Sequence, residues 1–288
     1  MSDASAIDLL PKMARYAIPA ARKLAVMGGA YGNVPALQAC LAHARVARCD
    51  AFAFLGDITG CCGHSDETID LVSCNFSIFV AGNLEQQSFA ADEDCACNYA
   101  DAEDGACSGR GHAYSLRTLG ERNRAWVGTL PDLALVETAI GTLLLHHGSP
   151  AQTNEFLYES EVEEETLTGW LHRAGAVGMA GTHTGLPWIR PLPGNQFALN
   201  CGAVGKPDHD GDRAVHYATI DLNPALAVAQ VVRIERVGYD HDAWARQLAD
   251  EGVEDIFIRP LVTGIWTVGV ASLPVLEQQK RALIQRAC

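Results

Sequence analysis

The sequence predicts an α/β fold with a mainly parallel sheet, because short apolar segments alternate with helical ones from residue 23 onwards. Residues 23–28, 51–55 and 76–81 are apolar runs with the length of buried strands. Asn33 followed by Pro35 is typical of a helix start, so a helix is predicted between the first two runs, and a second helix is predicted between the later two. This β-α-β-α-β order is typical of parallel strands joined by right-handed crossovers.

The rest of the chain predicts further strands, which tight turns connect in antiparallel fashion towards the end. Periodicity disappears between residues 84 and 117, which predicts a long functional or irregular loop. The predicted helices cover residues 33–48, 65–74, 117–130, a segment from about residue 161, and 241–250, and the later strands cover 133–138, 142–146, 177–180, 197–200, 214–220 and 228–237.

Composition and charge restrict the class of partner. The 288 residues are 48% hydrophobic and 19% charged, which is an ordinary balance for a soluble globular protein. A formal net charge of −14 argues against non-specific binding of nucleic acid or of an anionic membrane surface. A small-molecule substrate is predicted, and it can be anionic because a bound metal cation reverses the field locally.

Neither end of the chain predicts a membrane segment. Residues 1–22 lack the apolar core of a secretory signal, and Leu9, Leu10, Met13, Tyr16 and Ala17 predict an amphipathic helix instead. Residues 261–276 are apolar but broken by glycine and proline, and they are shorter than the roughly 20 residues of a spanning helix. A cytoplasmic location is therefore expected.

Four potential metal ligands each follow a short apolar run: Asp57, Asn83, His147 and His183. Strands of one sheet can deliver such side chains to a common rim, and a carboxylate, an amide and two imidazoles suffice for a divalent cation. The alternative is structural, with Asp57 and Asn83 as turn residues and the histidines as hydrogen-bonded groups near the core.

The order of six motifs resembles that of the calcineurin-like metallophosphoesterases, especially their small bacterial phosphodiesterase branch. The resemblance implies a two-sheet αββα sandwich over residues 23–258, with residues 1–22 as an N-terminal helical extension and residues 259–288 as a C-terminal extension packed on the domain. The motifs are Gly32 to Gln38, Leu55-Gly-Asp57, Ala81-Gly-Asn83, His147-Gly-Ser-Pro150, Gly181-Thr-His-Thr184 and Asn200 to Pro207.

In that family two metal ions clamp a phosphoester, and the resemblance implies that the ligands of one ion are kept, namely Asp57, Asn83, His147 and His183. The ligands of the other ion are largely lost, because Gly29 and Tyr31 replace its aspartate and histidine. The retained set suits Fe(II), Mn(II) or Zn(II). Tyr31 is interpreted as a catalytic proton donor, a phenolate ligand or a wall of the pocket, and Leu84 replaces the family histidine that assists the leaving group.

Ten cysteines in a chain without an export signal predict free thiols or metal ligands rather than a disulfide framework. By the family layout, two loops bring a subset of them to the vacated site. A thiolate-bound second metal or an iron–sulfur cluster is one hypothesis for this subset, and loop thiols or an oxidised pair are the alternatives. The subset is Cys61, Cys62, Cys95, Cys97 and Cys107.

Three functions are consistent with these observations. The first is hydrolysis of a phosphoester or a related small substrate through metal-bound water at a remodelled site. The second is an iron and thiolate enzyme with redox or group-transfer chemistry on an inherited scaffold. The third is a protein without catalysis, either metal-binding or an interaction partner, which the replacements at Gly29 and Leu84 favour.

Overall fold

The computed structural model describes residues 9–10 and 12–287, and its strands form two sheets. The strands are β1 (Met13–Ala17), β2 (Lys23–Met27), β3 (Ala51–Phe54), β4 (Ile78–Phe79), β5 (Leu133–Thr138), β6 (Gly141–Leu145), β7 (Gly178–Gly181), β8 (Trp188–Leu192), β9 (Gln196–Asn200), β10 (Val215–Asp221) and β11 (Val232–Val237). The helices are α1 (Val34–Val46), α2 (Ser65–Asn75), α3 (Asn83–Ala90), α4 (Ala102–Arg117), α5 (Glu121–Val127), α6 (Glu164–Ala174), α7 (Val228–Val231), α8 (His241–Asp250), α9 (Asp255–Thr263) and α10 (Val275–Ala287).

The five-stranded sheet has the order β11-β10-β2-β3-β4, and the six-stranded sheet has the order β1-β5-β6-β7-β9-β8. Strands β2, β3 and β4 are parallel, as predicted, and β10 and β11 continue that sheet in antiparallel fashion. In the other sheet β6, β7 and β9 are parallel. Since consecutive parallel strands end at the same edge, the loops after them meet there.

The two sheets face each other across an apolar core, and helices cover their outer faces. Val26 and Leu55 of one side pack with Leu145 and Phe197 of the other. Helix α1 packs its buried face on the outer side of the five-stranded sheet, and Trp170 of α6 belongs to the cluster on the outer side of the six-stranded sheet. The predicted two-sheet αββα sandwich is therefore confirmed.

The N-terminal helix prediction is wrong where the structure describes it. Met13, Tyr16 and Ala17 belong to strand β1, which pairs in parallel with β5 along the edge of the six-stranded sheet. The backbone hydrogen bonds of that edge outweigh a helical pattern that is only about two turns long, because short helices are marginal on their own. Leu9 and Leu10 pack against the same sheet. Residues 1–8 and 11 lie outside the described residues.

The predicted loop between residues 84 and 117 is also largely wrong, because it contains α3 and α4. The Asp101 side chain caps α4 by accepting hydrogen bonds from the backbone of Glu103 and Asp104. The buried residues of α4 include Cys107 and His112. The helix is nevertheless rich in glycine and alanine, and its apolar stripe is weak. Tertiary contact rather than local pattern stabilises this helix.

The C-terminal residues pack on the rest of the chain. Trp266 and Leu273 are buried in a cluster with Tyr158 and Leu186, whereas Val275 is 66% exposed. Elements β8, α9 and α10 were not predicted, and α7 takes the start of the strand predicted at residues 228–237. Within the described residues, no helix combines the length and apolarity needed to cross a membrane.

His216 is a buried histidine in β10, and acid is expected to destabilise the fold through this residue. Both of its ring nitrogens lack a hydrogen-bond partner among the described residues, and burial together with nearby Arg236 lowers its pKa to about 4. The unfolded chain, with an ordinary histidine pKa of about 6.5, takes up a proton first, so stability present above that pH is lost as the pH falls towards 4.

The variant His216→Gln is expected to make the free energy of unfolding less dependent on pH, by about 1.4 kcal/mol per pH unit between roughly pH 6 and 4.5. Urea unfolding at several pH values measures this dependence. The variant His172→Gln, at an exposed histidine, is the matched control. An unchanged slope in His216→Gln would show that this histidine binds its proton as readily in the folded protein as in the unfolded chain.

Candidate metal centre

Asp57 lies in the loop after β3, and a buried glutamate fixes its backbone. The Glu85 carboxylate accepts hydrogen bonds from the amides of Asp57 at 2.7 Å, Ile58 at 2.8 Å and Gly82 at 2.8 Å. Asp57 has a left-handed backbone with φ of 57°, a conformation that costs energy for a residue with a side chain and is often found at functional sites. Glu85 was not singled out from the sequence, and the capping position three residues after Gly82 is the signal that marks it.

Two histidines meet the Asp57 side chain. His147, just after β6, places Nδ1 2.6 Å from the carbonyl oxygen of Leu55, and because this oxygen only accepts, Nδ1 carries the hydrogen. Its Nε2 atom lies 3.3 Å from Asp57 Oδ2 and 3.1 Å from Nδ1 of His183. Burial opposes the charged form of His147, but the charge of Asp57 outweighs burial and raises its pKa, so a metal ion would displace a proton from Nε2 on binding. His183 follows β7 and also has a left-handed backbone, with φ of 54°. The ligand atoms of these three side chains lie within 4.8 Å of one another, and all three residues are buried.

Asn83 starts α3 beside this group. Its Nδ2 atom donates to the carbonyl oxygen of Cys95 at 2.8 Å, whereas its Oδ1 atom is buried and has no hydrogen-bond partner among the described residues. The preceding Gly82 lies directly against the site, since a Cβ atom there would lie 2.4 Å from Asp57 Oδ1 and 2.9 Å from Cε1 of His147. A buried amide oxygen without a donor is costly in isolation and suits a cation.

The charges of the group are consistent with metal binding. Burial opposes ionisation of Asp57, but the neighbouring His147 outweighs it and lowers the pKa of the carboxyl. Burial and His147 together lower the pKa of His183 to about 3, so this imidazole is neutral and keeps a lone pair. A carboxylate, two imidazoles and an amide oxygen form a donor set for Fe(II), Mn(II) or Zn(II), so the residues present fit such an ion.

Asp57 and His183 line a partly open cavity of about 80 Å³ whose walls come from distant parts of the chain. Helix α4 supplies one wall, and the C-terminal residues supply another. Among the described residues, the cavity is lined by one basic side chain of the lysine or arginine type, which is Lys206. The remaining lining residues are mainly apolar or aromatic, among them Leu84, Tyr99, Phe156, Ile256, Phe257, Pro260 and Val268.

Tyr31 lines this cavity from the loop after β2. Burial and the charge of Asp57 raise the pKa of its hydroxyl well above the ordinary value, so Tyr31 is a neutral phenol. A Cβ atom on Gly29 would lie 3.1 Å from the Tyr31 hydroxyl oxygen, so the ring occupies the space next to that glycine. These data fit a proton donor or a cavity wall better than a phenolate.

The five cysteines predicted to converge do not form one group. Cys61, Cys62 and Cys97 line the cavity, and the sulfur atoms of Cys61 and Cys62 are 3.6 Å apart. Cys95 and Cys97 are joined by a disulfide, and the Cys107 sulfur accepts a hydrogen bond from Arg110 at 3.5 Å. In the described part of the chain, no cysteine belongs to a group of three potential ligands within 4.8 Å. A metal-binding role for these thiols remains a prediction.

The layered fold and the buried Asp57, His147 and His183 define a class, a two-sheet α/β protein with a candidate metal site at the ends of its strands. The sequence profile of the calcineurin-like phosphoesterases matches residues 22–223, so the chain belongs to the calcineurin-like phosphoesterase family. The resemblance predicted from the motifs is confirmed.

Solved structures with the same fold come from bacteria and archaea. A metallophosphoesterase from Sphaerobacter thermophilus is 21% identical with a TM-score of 0.67, and the match covers 85% of this chain and 100% of that one. A hypothetical protein from Pyrococcus horikoshii OT3 is 16% identical with a TM-score of 0.68, and the match covers 85% and 99%. No curated protein matches the sequence.

Proposed function

We propose that this protein is a phosphoesterase that uses one divalent cation, bound by Asp57, Asn83, His147 and His183. The observation that carries the proposal is the unpartnered Oδ1 atom of Asn83 beside the two imidazoles, whose nearest ring nitrogens are 3.1 Å apart, next to a cavity that Asp57 and His183 line. A divalent ion there would polarise a phosphoester and lower the pKa of a coordinated water. The side chains of Asn83 and His147 are already held by hydrogen bonds to backbone carbonyl oxygens, which is typical of metal ligands.

Lys206 is proposed to replace the first cation of the family. Gly29 and Tyr31 offer neither the carboxylate nor the imidazole that such an ion needs. The Lys206 ammonium lies in the same cavity, 4.0 Å from the ring centroid of Trp266 and 6.0 Å from that of Tyr31. A cation among aromatic rings is stabilised by them, and its attraction to an anionic oxygen is stronger in an environment with little water.

The lining of the cavity favours a small phosphodiester as the substrate. A diester carries a single negative charge, which one ammonium and one metal ion can balance. The apolar and aromatic walls, including Phe156 and Phe257, suit the organic groups of such an ester better than they suit a second ionised oxygen. The formal charge of −14 argues against a polynucleotide.

Metal analysis and turnover test this function. Protein purified without oxygen is loaded with Mn²⁺, Fe²⁺ or Zn²⁺ and assayed with bis(p-nitrophenyl) phosphate. The variant Lys206→Met is expected to lose about 10²- to 10³-fold in kcat/KM, as when one stabilising donor is removed from a transition state, while its metal content is unchanged. Lys206→Arg keeps the charge and is expected to retain most of the activity.

Lys280→Met serves as the matched control, because Lys280 is half exposed and paired with Glu159 on the protein surface. Loss of activity in this control would mean that the assay reports a general charge effect. A metal-loaded wild-type protein that hydrolyses neither phosphodiesters nor phosphomonoesters would contradict the proposed function.

The same samples test the iron and thiolate alternative, which the free thiols of Cys61 and Cys62 in the cavity favour. Acid-labile sulfide or a visible absorbance that is lost in Cys61→Ser and Cys62→Ser variants would support it. Under the proposed function these variants keep their metal, because its ligands are oxygen and nitrogen atoms.

A further inference from the structure

We propose that His112 donates a proton to the leaving-group oxygen of the substrate, an inference that rests on the proposed function. The segment after β4 does not supply this group itself. Leu84 follows the ligand Asn83 and is apolar, and the Glu85 carboxylate next to it is occupied by three backbone amides. A proton donor for the departing oxygen must therefore come from elsewhere in the cavity.

His112 enters the same cavity from helix α4. It is 1% exposed and shares the cavity lining with Asp57, Leu84 and His183. Its Nε2 atom is 3.0 Å from the carbonyl oxygen of Asp92, and since a carbonyl oxygen only accepts, Nε2 carries a hydrogen. This contact fixes the ring and leaves Nδ1 as the atom available for proton transfer.

The Nδ1 atom of His112 is buried and has no hydrogen-bond partner among the described residues. A buried polar atom without a partner costs about 1–3 kcal/mol, so a fold that retains one at a cavity wall is suited to a ligand that completes the bond. His216 has unpartnered ring nitrogens as well, but it does not line the cavity. His183 also lines the cavity with an unpartnered nitrogen, Nε2, but it is one of the proposed metal ligands, so His112 is the described cavity histidine left for proton transfer.

The charge state of His112 depends on the substrate. Burial lowers the pKa of the free imidazole, although the charge of Asp57 opposes this effect. A phosphodiester bound in the cavity brings a further negative charge, which favours the imidazolium form in the complex. The phenol of Tyr31 lines the same cavity and is the competing donor, which the variant Tyr31→Phe tests below.

The proposed step balances as follows. A bond forms between phosphorus and the oxygen of the attacking water, and the bond between phosphorus and the leaving oxygen breaks. The electron pair of the broken bond stays on the leaving oxygen, which takes the proton from Nδ1 of His112. The proton lost by the water passes to solvent, and His112 regains a proton from solvent after the product leaves.

The variant His112→Gln separates the anchor from the proton donor, because the glutamine amide nitrogen can replace Nε2 in the hydrogen bond to Asp92, and nothing replaces Nδ1. Proton donation matters most for a poor leaving group. We expect kcat for diphenyl phosphate to fall about 10²- to 10⁴-fold, whereas kcat for bis(p-nitrophenyl) phosphate, whose leaving group needs little help, falls about threefold or less. Metal content and the midpoint of urea unfolding are measured for each variant, with exposed His172→Gln as the matched control.

Two results would overturn the role of His112: equal losses on both esters, or a selective loss on diphenyl phosphate in Tyr31→Phe instead of His112→Gln. Wild-type protein that is inactive on both esters would overturn the proposed function together with this inference. If His112→Gln fails to fold, nitrogen-15 NMR of wild-type protein loaded with Zn²⁺ decides. We then expect His112 to carry its hydrogen on Nε2 and its Nδ1 signal to move when inorganic phosphate is added, and an unmoved signal would refute the proposal.

Discussion

Asp57→Asn is expected to reduce the bound metal from about one ion per chain to near zero and to lower phosphodiester turnover at least about a hundredfold. Asp57 is the one carboxylate of the group that also contains His147 and His183. Its charge balances the cation, and an amide of the same size does not. The nearby imidazoles hold the pKa of Asp57 below its usual range, so the charge is present in the folded protein without a metal.

Elemental analysis after dialysis against free metal, with turnover assayed on the same sample, measures both effects. Asp208→Asn is a suitable control, because Asp208 is a buried carboxylate that pairs with Arg281 at 2.8 Å and does not line the cavity. This control is expected to lose stability, since Arg281 is left buried without its partner, but to keep its metal. Full metal occupancy in Asp57→Asn would show that the ion binds elsewhere.

Glu85→Ala is expected to lower the free energy of unfolding by about 3–5 kcal/mol, because it leaves buried amides without their charged acceptor. The three amides belong to Asp57, Ile58 and Gly82, so the loops after β3 and β4 lose their common anchor. Burial and the charge of Asp57 raise the pKa of Glu85, but the three donated hydrogen bonds favour the ionised form. Metal affinity is expected to fall about 10- to 100-fold as the ligands lose their orientation.

Urea unfolding and metal titration measure these two effects separately. Gln87→Ala on the same helix is the matched control, because Gln87 is only partly buried. The free energy of unfolding of this variant is expected to change by less than about 0.5 kcal/mol. If Glu85→Ala retained wild-type stability, the carboxylate would not be the anchor of the two loops. If it lost stability but kept metal affinity, the anchor would have no role in orienting the ligands.

The candidate ligands could be predicted from the sequence because their signals are local. Asp57, Asn83, His147 and His183 each follow an apolar run, and the order of parallel strands is enough to predict that such positions share one rim. The structure brings Asp57, His147 and His183 together and sets Asn83 beside them. The alternation of apolar runs also predicted an α/β fold with a mainly parallel sheet, since a strand buried on both faces has a distinctive composition. The αββα sandwich was implied by the resemblance to the family.

The sequence by itself therefore determined the alternation of strands and helices and the ligand types at the strand ends. Only the tertiary structure decided what surrounds them. Helix α4 with His112 has a weak local pattern, and the C-terminal wall comes from residues 256–268, far beyond the last candidate ligand, His183, in sequence. The physical reason is that strands and turns follow from neighbouring residues, whereas a cavity and its unpartnered atoms arise only when distant segments pack together.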